Sequence, residues 1–320
     1  MNLTSASLMV GILAGVAAAL LSISAGEPTP LSILLFAAAT LPILIAGIGW
    51  TNSAGFIAAA VAGGIVSLAV APLAGLVFTL TTLAPAAWLA HLANLARPAD
   101  EIGGPQGAVA WFPMADILLQ LCLLVVGGLV VVGAAMGYGP DMVAGVVDQF
   151  FSVMSEQDPD LAVNDADRAM YADFFLTALP VVQGALWVLI LFSALYVALW
   201  IVRLSGRGRR PKDDLPASLR MSRRSLYIFG VGLALTFFGG APALVGAVIC
   251  GAFAAGFILA GFAIFHFRTR GKPWRPFAIW GAYLGVLFLT LPILFFLVLG
   301  MIQTARAVPV SNLPGSSNDT

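Results

Sequence analysis

The chain has 320 residues, of which 60% are hydrophobic and only 9% are charged, and its 15 basic and 15 acidic side chains give a formal net charge of zero. A soluble domain carries about 25% charged residues. The composition therefore excludes an ordinary soluble domain and indicates that most of the chain lies in a lipid bilayer. A chain without excess positive charge is also not expected to bind nucleic acid.

Nine apolar segments contain almost none of these charges. About 20 helical residues cross a hydrocarbon core of about 30 Å, and strands of a membrane barrel would be shorter and would alternate. The sequence therefore predicts an all-α integral membrane bundle of about nine transmembrane helices. The segments are 6–24, 31–50, 53–71, 73–96, 114–137, 179–203, 225–240, 243–267 and 276–302. The seventh segment is short and glycine-rich, so a re-entrant turn there would leave eight spans.

These segments divide the chain into four regions. Residues 1–137 form an N-terminal membrane region of five helices, and 138–178 form an acidic extracytoplasmic connection. Residues 179–302 form a C-terminal membrane region that includes the basic cytoplasmic loop 204–224. Residues 303–320 are expected to be a flexible tail.

The charges predict the orientation. Between Arg203 and Arg224 there are eight basic residues and two acids, whereas the stretch from Tyr138 to Asp173 has eight acids and one arginine. Basic connections remain in the cytoplasm. The chain is thus predicted to be a multi-pass membrane protein with a cytoplasmic N-terminus and, for nine spans, an extracytoplasmic C-terminus.

The acidic connection contains its own helical pattern. After Pro140 and Asp141, apolar residues recur at helical spacing and predict an amphipathic helix at the membrane interface. They are Val143, Val146, Val147, Phe150, Phe151 and Met154. This helix is either a lid over an outward-facing cavity or a helix that only rests on the headgroups.

Small residues at four-residue steps occur in the first and third segments. The helix-packing faces predicted from them contain Gly11, Gly15, Gly55, Ala59 and Gly63. In lipid, such faces let helix backbones approach closely. They serve either internal packing or the docking of another membrane subunit.

Residues that carry chemistry are few. No acidic or basic residue lies in the middle of any segment, although proton-driven pumps depend on such groups. No nucleotide-binding loop, catalytic constellation, metal site or cofactor site is recognisable, so the chain is not predicted to be an enzyme. The candidate ligand-binding residues are Asn52, Trp88, His91 and His266, because a histidine near neutrality can hold a ligand or a proton. The alternative is a set of half-solvated interfacial side chains.

Several stretches carry a family resemblance. They are Leu41-Pro42-Ile43, Gly47-Ile48-Gly49-Trp50, Pro85-Ala86-Ala87-Trp88-Leu89, Leu95-Ala96-Arg97-Pro98, Trp111-Phe112-Pro113, Gly261-Phe262-Ala263-Ile264-Phe265-His266 and Thr269-Arg270-Gly271. In these the chain resembles the YybS-like family of bacterial polytopic membrane proteins, a domain of unknown function. That family is distantly similar to the S components of energy-coupling-factor transporters, which bind a small molecule and dock on a membrane partner. The resemblance implies the same kind of role here.

Three functions follow as expectations for this chain, which the resemblance implies is a protein of a bacterial inner membrane. The first is a protein that binds or helps to translocate a small, weakly charged solute, with a partner supplying energy; it predicts a polar and aromatic cavity. The second is a noncatalytic scaffold or assembly factor that recruits other proteins, which predicts a filled bundle. A lipid-handling enzyme, with a wet cavity that holds a histidine, is the third.

Overall fold

The computed structural model describes residues 4–25, 32–157, 164–289 and 291–306. Its helices form one bundle, with fourteen α-helices in the described part of the chain. They are α1 (Ser5–Ser24), α2 (Ser32–Ala38), α3 (Leu41–Gly49), α4 (Asn52–Ala69), α5 (Pro72–Phe78), α6 (Ala84–Asn94), α7 (Met114–Met136), α8 (Pro140–Gln157), α9 (Asp165–Leu204), α10 (Leu215–Ser218), α11 (Arg223–Leu235), α12 (Gly240–Arg268), α13 (Arg275–Phe288) and α14 (Leu291–Arg306).

Two short regions of the described chain depart from the α-helical pattern. A π-helical turn, Thr79–Leu83, joins α5 to α6 without a break in the helix. The connection between α6 and α7 contains a 3₁₀ turn, Ala99–Ile102, and two antiparallel strands, β1 (Ala96–Pro98) and β2 (Val109–Trp111), in which Arg97 pairs with Ala110. The predicted all-α class is therefore confirmed, apart from this small hairpin.

Six helices are long and apolar enough to cross a membrane. They are Ser5–Ser24, Asn52–Ala69, Pro72–Asn94, Met114–Met136, Asp165–Leu204 and Gly240–Arg268. They coincide with the predicted first, third, fourth, fifth, sixth and eighth segments. Their length and composition indicate a membrane protein.

The other three predicted segments differ from single long helices. The segment 225–240 forms only the 13-residue helix α11. The segment 31–50 is divided between α2 and α3, and the segment 276–302 between α13 and α14, which are bent by 116°. If the bent pair is one span, the described residues contain up to seven.

Both divided segments restart at the same local sequence. Helices α3 and α14 begin at Leu41 and Leu291, and in each the second residue is a proline, Pro42 or Pro292. Proline has no backbone N–H and is tolerated in the first turn of a helix, but the residue before it is biased away from the helical region. Here Leu41 and Leu291 are themselves helical, so the missing N–H and the clash of the proline ring with the carbonyl four residues earlier explain why the segments do not continue as straight helices.

The predicted amphipathic helix is present as α8. It packs against the first turns of α9 through Val143, Val147 and Phe151, which are buried against Ala172 and Phe175. Helix α9 has 40 residues, about 60 Å at 1.5 Å per residue, so it is about twice as long as a bilayer crossing requires. Its first part supports α8, and its second part, beyond Pro180, corresponds to the predicted segment 179–203.

Helix α12 lies at the centre of the C-terminal half. It packs against α9, α11 and α14, and also contacts α7. Phe253 and Phe257 are fully buried on it. Close approach depends on glycine: a Cβ at Gly184 of α9 would lie 2.7 Å from the carbonyl oxygen of Val248 of α12. Because hydrophobicity does not drive helices together in lipid, this close packing is a main source of cohesion.

The charged connections collect at two ends of the bundle. At one end, Arg210 donates to the carbonyl oxygen of Phe112 (2.9 Å), and Arg270 forms a two-pronged ion pair with Asp214 (Nη1 to Oδ2 2.6 Å). These contacts join the connections 95–113, 205–222 and 269–274, which we call the basic end. Helices α7 and α9 run from there to the acidic connection 137–164, which we call the acidic end. Residues 158–163 of that connection, and 307–320 of the predicted tail, lie outside the described residues.

Candidate ligand chamber and polar network

A chamber of about 590 Å³ opens between α7, α8, α9 and α12 at the acidic end. Its walls are mainly aliphatic and aromatic. They include Leu129, Val130, Val132, Met136, Met142, Val146, Phe150, Leu179, Leu244, Val245 and Val248. No charged side chain is among the described residues that line it. The chamber therefore suits an uncharged, mainly apolar ligand.

Helix α8 forms the roof of the chamber. Six apolar side chains along one side of it line the space, namely Met142, Val143, Val146, Val147, Phe150 and Phe151. The roof is held by few polar contacts. Arg168 of α9 pairs with Asp148 at 3.4 Å, and both side chains are partly or largely exposed, so this ion pair contributes little stability.

Tyr138 fixes the start of the roof. It lies in the short turn between α7 and α8, and its hydroxyl donates to the carbonyl oxygen of Leu176 at 3.1 Å. Gly137 before it has a φ of 68°, a left-handed conformation that ends α7 and favours glycine. Burial raises the pKa of the Tyr138 phenol, so this side chain remains an uncharged donor at neutral pH.

A few polar side chains line the chamber among the apolar ones. Thr81 uses its hydroxyl to donate to the carbonyl oxygen of Val77 at 2.8 Å. Trp187 stacks on Phe36, with ring centroids 4.8 Å apart, and its buried Nε1 has no hydrogen-bond partner in the described structure. Gln183 lies one turn before Trp187 on α9 and also lines the chamber.

Three of the four predicted binding residues lie together at the basic end. Asn52 Nδ2 is 2.9 Å from Nδ1 of His91, and the rings of Trp88 and His91 are 5.3 Å apart. Asn94 completes this network, because its amide nitrogen donates to Oδ1 of Asn52 and to the carbonyl oxygen of Gly47, both at 2.8 Å. The network joins α3, α4 and α6.

The fourth predicted residue, His266, lies apart from this network. Its Nε2 is 3.1 Å from the hydroxyl of Tyr283 on α13. None of Asn52, Trp88, His91 and His266 lines the chamber. The structure thus separates the predicted polar residues from the one large cavity that is found among the described residues.

The predicted packing faces are occupied within the chain. A Cβ at Gly11 would lie 2.9 Å from the carbonyl oxygen of Ala54, and one at Gly15 would lie 2.7 Å from that of Ala58. A Cβ at Gly55 would lie 3.0 Å from the Cα of Gly47, Ala59 is buried, and Gly63 faces the Thr79 hydroxyl. These faces bring α1, α3, α5 and α4 together and leave no free glycine surface on α4 at these positions.

Comparison with known proteins adds no assignment. No family model, no curated protein and no solved structure matches this chain. The resemblance to the YybS-like family and to the S components of transporters therefore stays a prediction that rests on the sequence stretches alone.

The residues of the chamber were not predicted as a site. Trp187 is the residue whose position could have indicated a ligand site. It lies in the middle of the predicted segment 179–203, whereas tryptophans in membrane proteins are enriched at the membrane interfaces. Asn94 was also missed. It stands three residues after His91, on the same face of α6, so both side chains can reach Asn52.

Proposed function

We propose that this protein binds a small, uncharged, mainly apolar solute in the chamber beneath α8, as a step in moving that solute across or along the membrane. The observation that carries the proposal is the chamber itself: about 590 Å³ of space, lined by aliphatic and aromatic side chains. Ligand sites in proteins are typically clefts of about 300–1,000 Å³ with apolar walls and a few polar groups.

The roof supports this proposal. Helix α8 lies outside the long apolar helices and is held to α9 by one small apolar cluster, by Tyr138 and by one exposed ion pair. Segments with few buried contacts open at low free energy. A roof of this kind can admit and release a solute without unfolding the bundle.

A scaffold role has less support. It relied on small-residue faces for recruiting other proteins, but Gly11, Gly15 and Gly55 pack against backbone or side chains of this same chain. The bundle also has a chamber, whereas a scaffold predicts a filled interior.

Photolabelling tests solute binding. The protein in lipid nanodiscs is irradiated with 3-trifluoromethyl-3-phenyldiazirine, and labelled peptides are mapped by mass spectrometry. We expect saturable labelling of residues 142–151, lost in Val130→Trp, which fills the chamber. Val131→Trp is the matched control, since Val131 is 55% exposed and does not line the chamber.

A second variant that fills the chamber distinguishes loss of binding from misfolding. Leu244→Trp fills the chamber from α12, and each variant must elute as a single species in gel filtration. Labelling that does not saturate, or that both filling variants retain at the control level, would refute the proposal.

We also propose the finer topology: nine passes through a bacterial inner membrane, with the N-terminus in the cytoplasm. Support comes from the charges, because the three connections joined at the basic end and the helix ends beside them hold 11 of the 13 arginines, and the opposite connection is acidic. Positive residues favour the cytoplasmic side. The short helix α11 and the two divided segments would then provide the remaining passes.

A further inference from the structure

We propose that the basic end holds a specific binding site for the phosphate-bearing headgroup of an anionic phospholipid. The site is formed by Arg220, Arg268, Arg270 and Arg275, which we call the arginine junction. It lies at the opposite end from the chamber and does not depend on the function proposed above.

The fold brings these arginines together from two connections. Helix α10, which precedes Arg220, packs against α12, and Asp214 just before α10 pairs with Arg270 just after α12. Arg268 is the last residue of α12, and Arg275 is the first residue of α13. Six residues separate Arg268 from Arg275.

The junction has too few carboxylates. Between Arg203 and Arg275 the only acids are Asp213 and Asp214. Asp213 is used by Arg210, with its Oδ2 2.7 Å from Nε, and Asp214 is used by Arg270. Among the described residues, no carboxylate lies within ion-pair distance of Arg220, Arg268 or Arg275.

Two observations show that this excess of positive charge is unfavourable as it stands. Arg220 is half-buried, and burial together with the charge of Arg268 lowers its pKa. Arg275 has a buried Nε without an acceptor among the described residues, and the cost of removing such a donor from water is then not offset by a hydrogen bond. A phosphate between these side chains would supply both the missing negative charge and the missing acceptor. Guanidinium groups suit phosphate because they bind it in a two-pronged geometry.

The surroundings favour a lipid over a free anion. Helix α13 leads away from Arg275 and presents large apolar side chains with little cover: Phe277 is 83% exposed and Trp280 is 68% exposed. Leu284 follows one turn later on the same face and is 47% exposed. This stripe gives acyl chains a surface to lie on while the headgroup reaches the arginine junction. Basic clusters beside membrane helices attract anionic lipids.

Lipid titration of the purified protein in a neutral detergent tests the site. The melting temperature is followed as dioleoyl-phosphatidylglycerol, dioleoyl-phosphatidylcholine or glycerol 3-phosphate is added. We expect stabilisation by phosphatidylglycerol alone. Arg220→Gln and Arg268→Gln should each raise the half-saturating lipid concentration about fivefold, the equivalent of about 1 kcal/mol.

Arg209→Gln is the matched control, since Arg209 is exposed in the same basic connection but lies outside the junction. An equal loss in Arg209→Gln would show general charge attraction and overturn the site. Equal stabilisation by phosphatidylcholine would overturn the requirement for an anion, and full stabilisation by glycerol 3-phosphate would overturn the assignment to lipid. Arg220→Lys retains the positive charge but cannot form the two-pronged hydrogen bonds of a guanidinium group with phosphate. It serves as the folded variant if the glutamine substitutions do not express.

Discussion

Asn94 and Asn52 are 42 positions apart in the chain, yet their side chains share a hydrogen bond of 2.8 Å between helices α6 and α4. The same Asn94 nitrogen also donates to the carbonyl oxygen of Gly47 at the end of α3. One side chain therefore joins three helices of the N-terminal half. Interhelical hydrogen bonds in membrane proteins contribute about 0.6 kcal/mol on average and up to about 1.7.

Asn94→Ala should therefore lower the free energy of unfolding by about 1–2 kcal/mol, since two such bonds are lost. Unfolding in mixed micelles of increasing dodecyl sulfate content measures this change. Gln149→Ala removes an exposed amide from α8 and should have almost no effect. Equal stability of the two variants would mean that the network does not hold these helices together.

Gly251 on α12 tests the close packing of α9 against α12. A methyl group at Gly251 would overlap the carbonyl of Val181, whose backbone cannot move aside cheaply. Gly251→Ala should lower the free energy of unfolding by about 1–3 kcal/mol, as overpacking does in other cores. Thermal denaturation measured by gel filtration after heating is a suitable assay.

The control for this substitution is Gly64→Ala. A Cβ at Gly64 has no atom within 4 Å, so alanine fits there, and its higher helix propensity should keep the stability unchanged or slightly raise it. If Gly251→Ala were as stable as Gly64→Ala, the interface between α9 and α12 would be looser than the structure indicates.

The orientation can be tested with single cysteines. In a background in which Cys122 and Cys250 are replaced by alanine, Ser152→Cys places a thiol on α8 at the acidic end, and Ser218→Cys places one on α10 at the basic end. Both serines are exposed. An impermeant maleimide added to intact spheroplasts should label only the cysteine at position 152. Labelling of position 218 alone would reverse the orientation and place the chamber on the cytoplasmic side.

The pair of Asp214 and Arg270 predicts a pH dependence. The hydrogen bond from Arg270 holds the pKa of the Asp214 carboxyl below its usual range. The pKa of Asp214 in the folded protein is below its unfolded value of about 4. The contribution of the pair to the free energy of unfolding is therefore complete above about pH 4, and it is lost as the pH falls through the folded pKa of Asp214.

Asp214→Asn should thus melt at a lower temperature than the wild type at pH 7, and the difference should shrink below about pH 4. The effect is expected to be small, since both side chains are largely exposed. Asp100→Asn, which removes an exposed carboxylate without an ion pair in the described structure, is the control. A difference that stays constant down to pH 3 would contradict the assignment.

The sequence predicted the long helices well, because length and hydropathy are properties of a segment itself. The amphipathic helix was found in the same way, from the spacing of Val143, Val147 and Phe151. The breaks before Pro42 and Pro292 were harder to predict. A proline in a membrane segment either lies inside a continuous helix, as Pro180 does in α9, or stands at the start of a new one, as Pro42 and Pro292 do. Neighbouring helices decide between the two outcomes.

A cavity beneath the amphipathic helix was one of two alternatives in the sequence analysis, but the other walls of the chamber could not be predicted for a related reason. Its walls come from four separate helices, and its lining residues resemble any lipid-facing residues in composition. Polar residues were predicted to bind the ligand, but Asn52 and His91 form a hydrogen bond with each other at the basic end. In lipid, polar side chains often join helices, so polarity alone did not distinguish a packing network from a ligand site.

The two charged ends have an electrical consequence. The chain has no net charge, but eight acids and one arginine lie between positions 138 and 173, and twelve basic residues and two acids lie in 203–224 and 268–275. The molecule is therefore a large electric dipole along its long helices. A charge that crosses the membrane field gains or loses about 2.3 kcal/mol per 100 mV. In the predicted orientation, the voltage of an energised membrane, negative inside, pulls the basic end inward and the acidic end outward, and so keeps the protein in place.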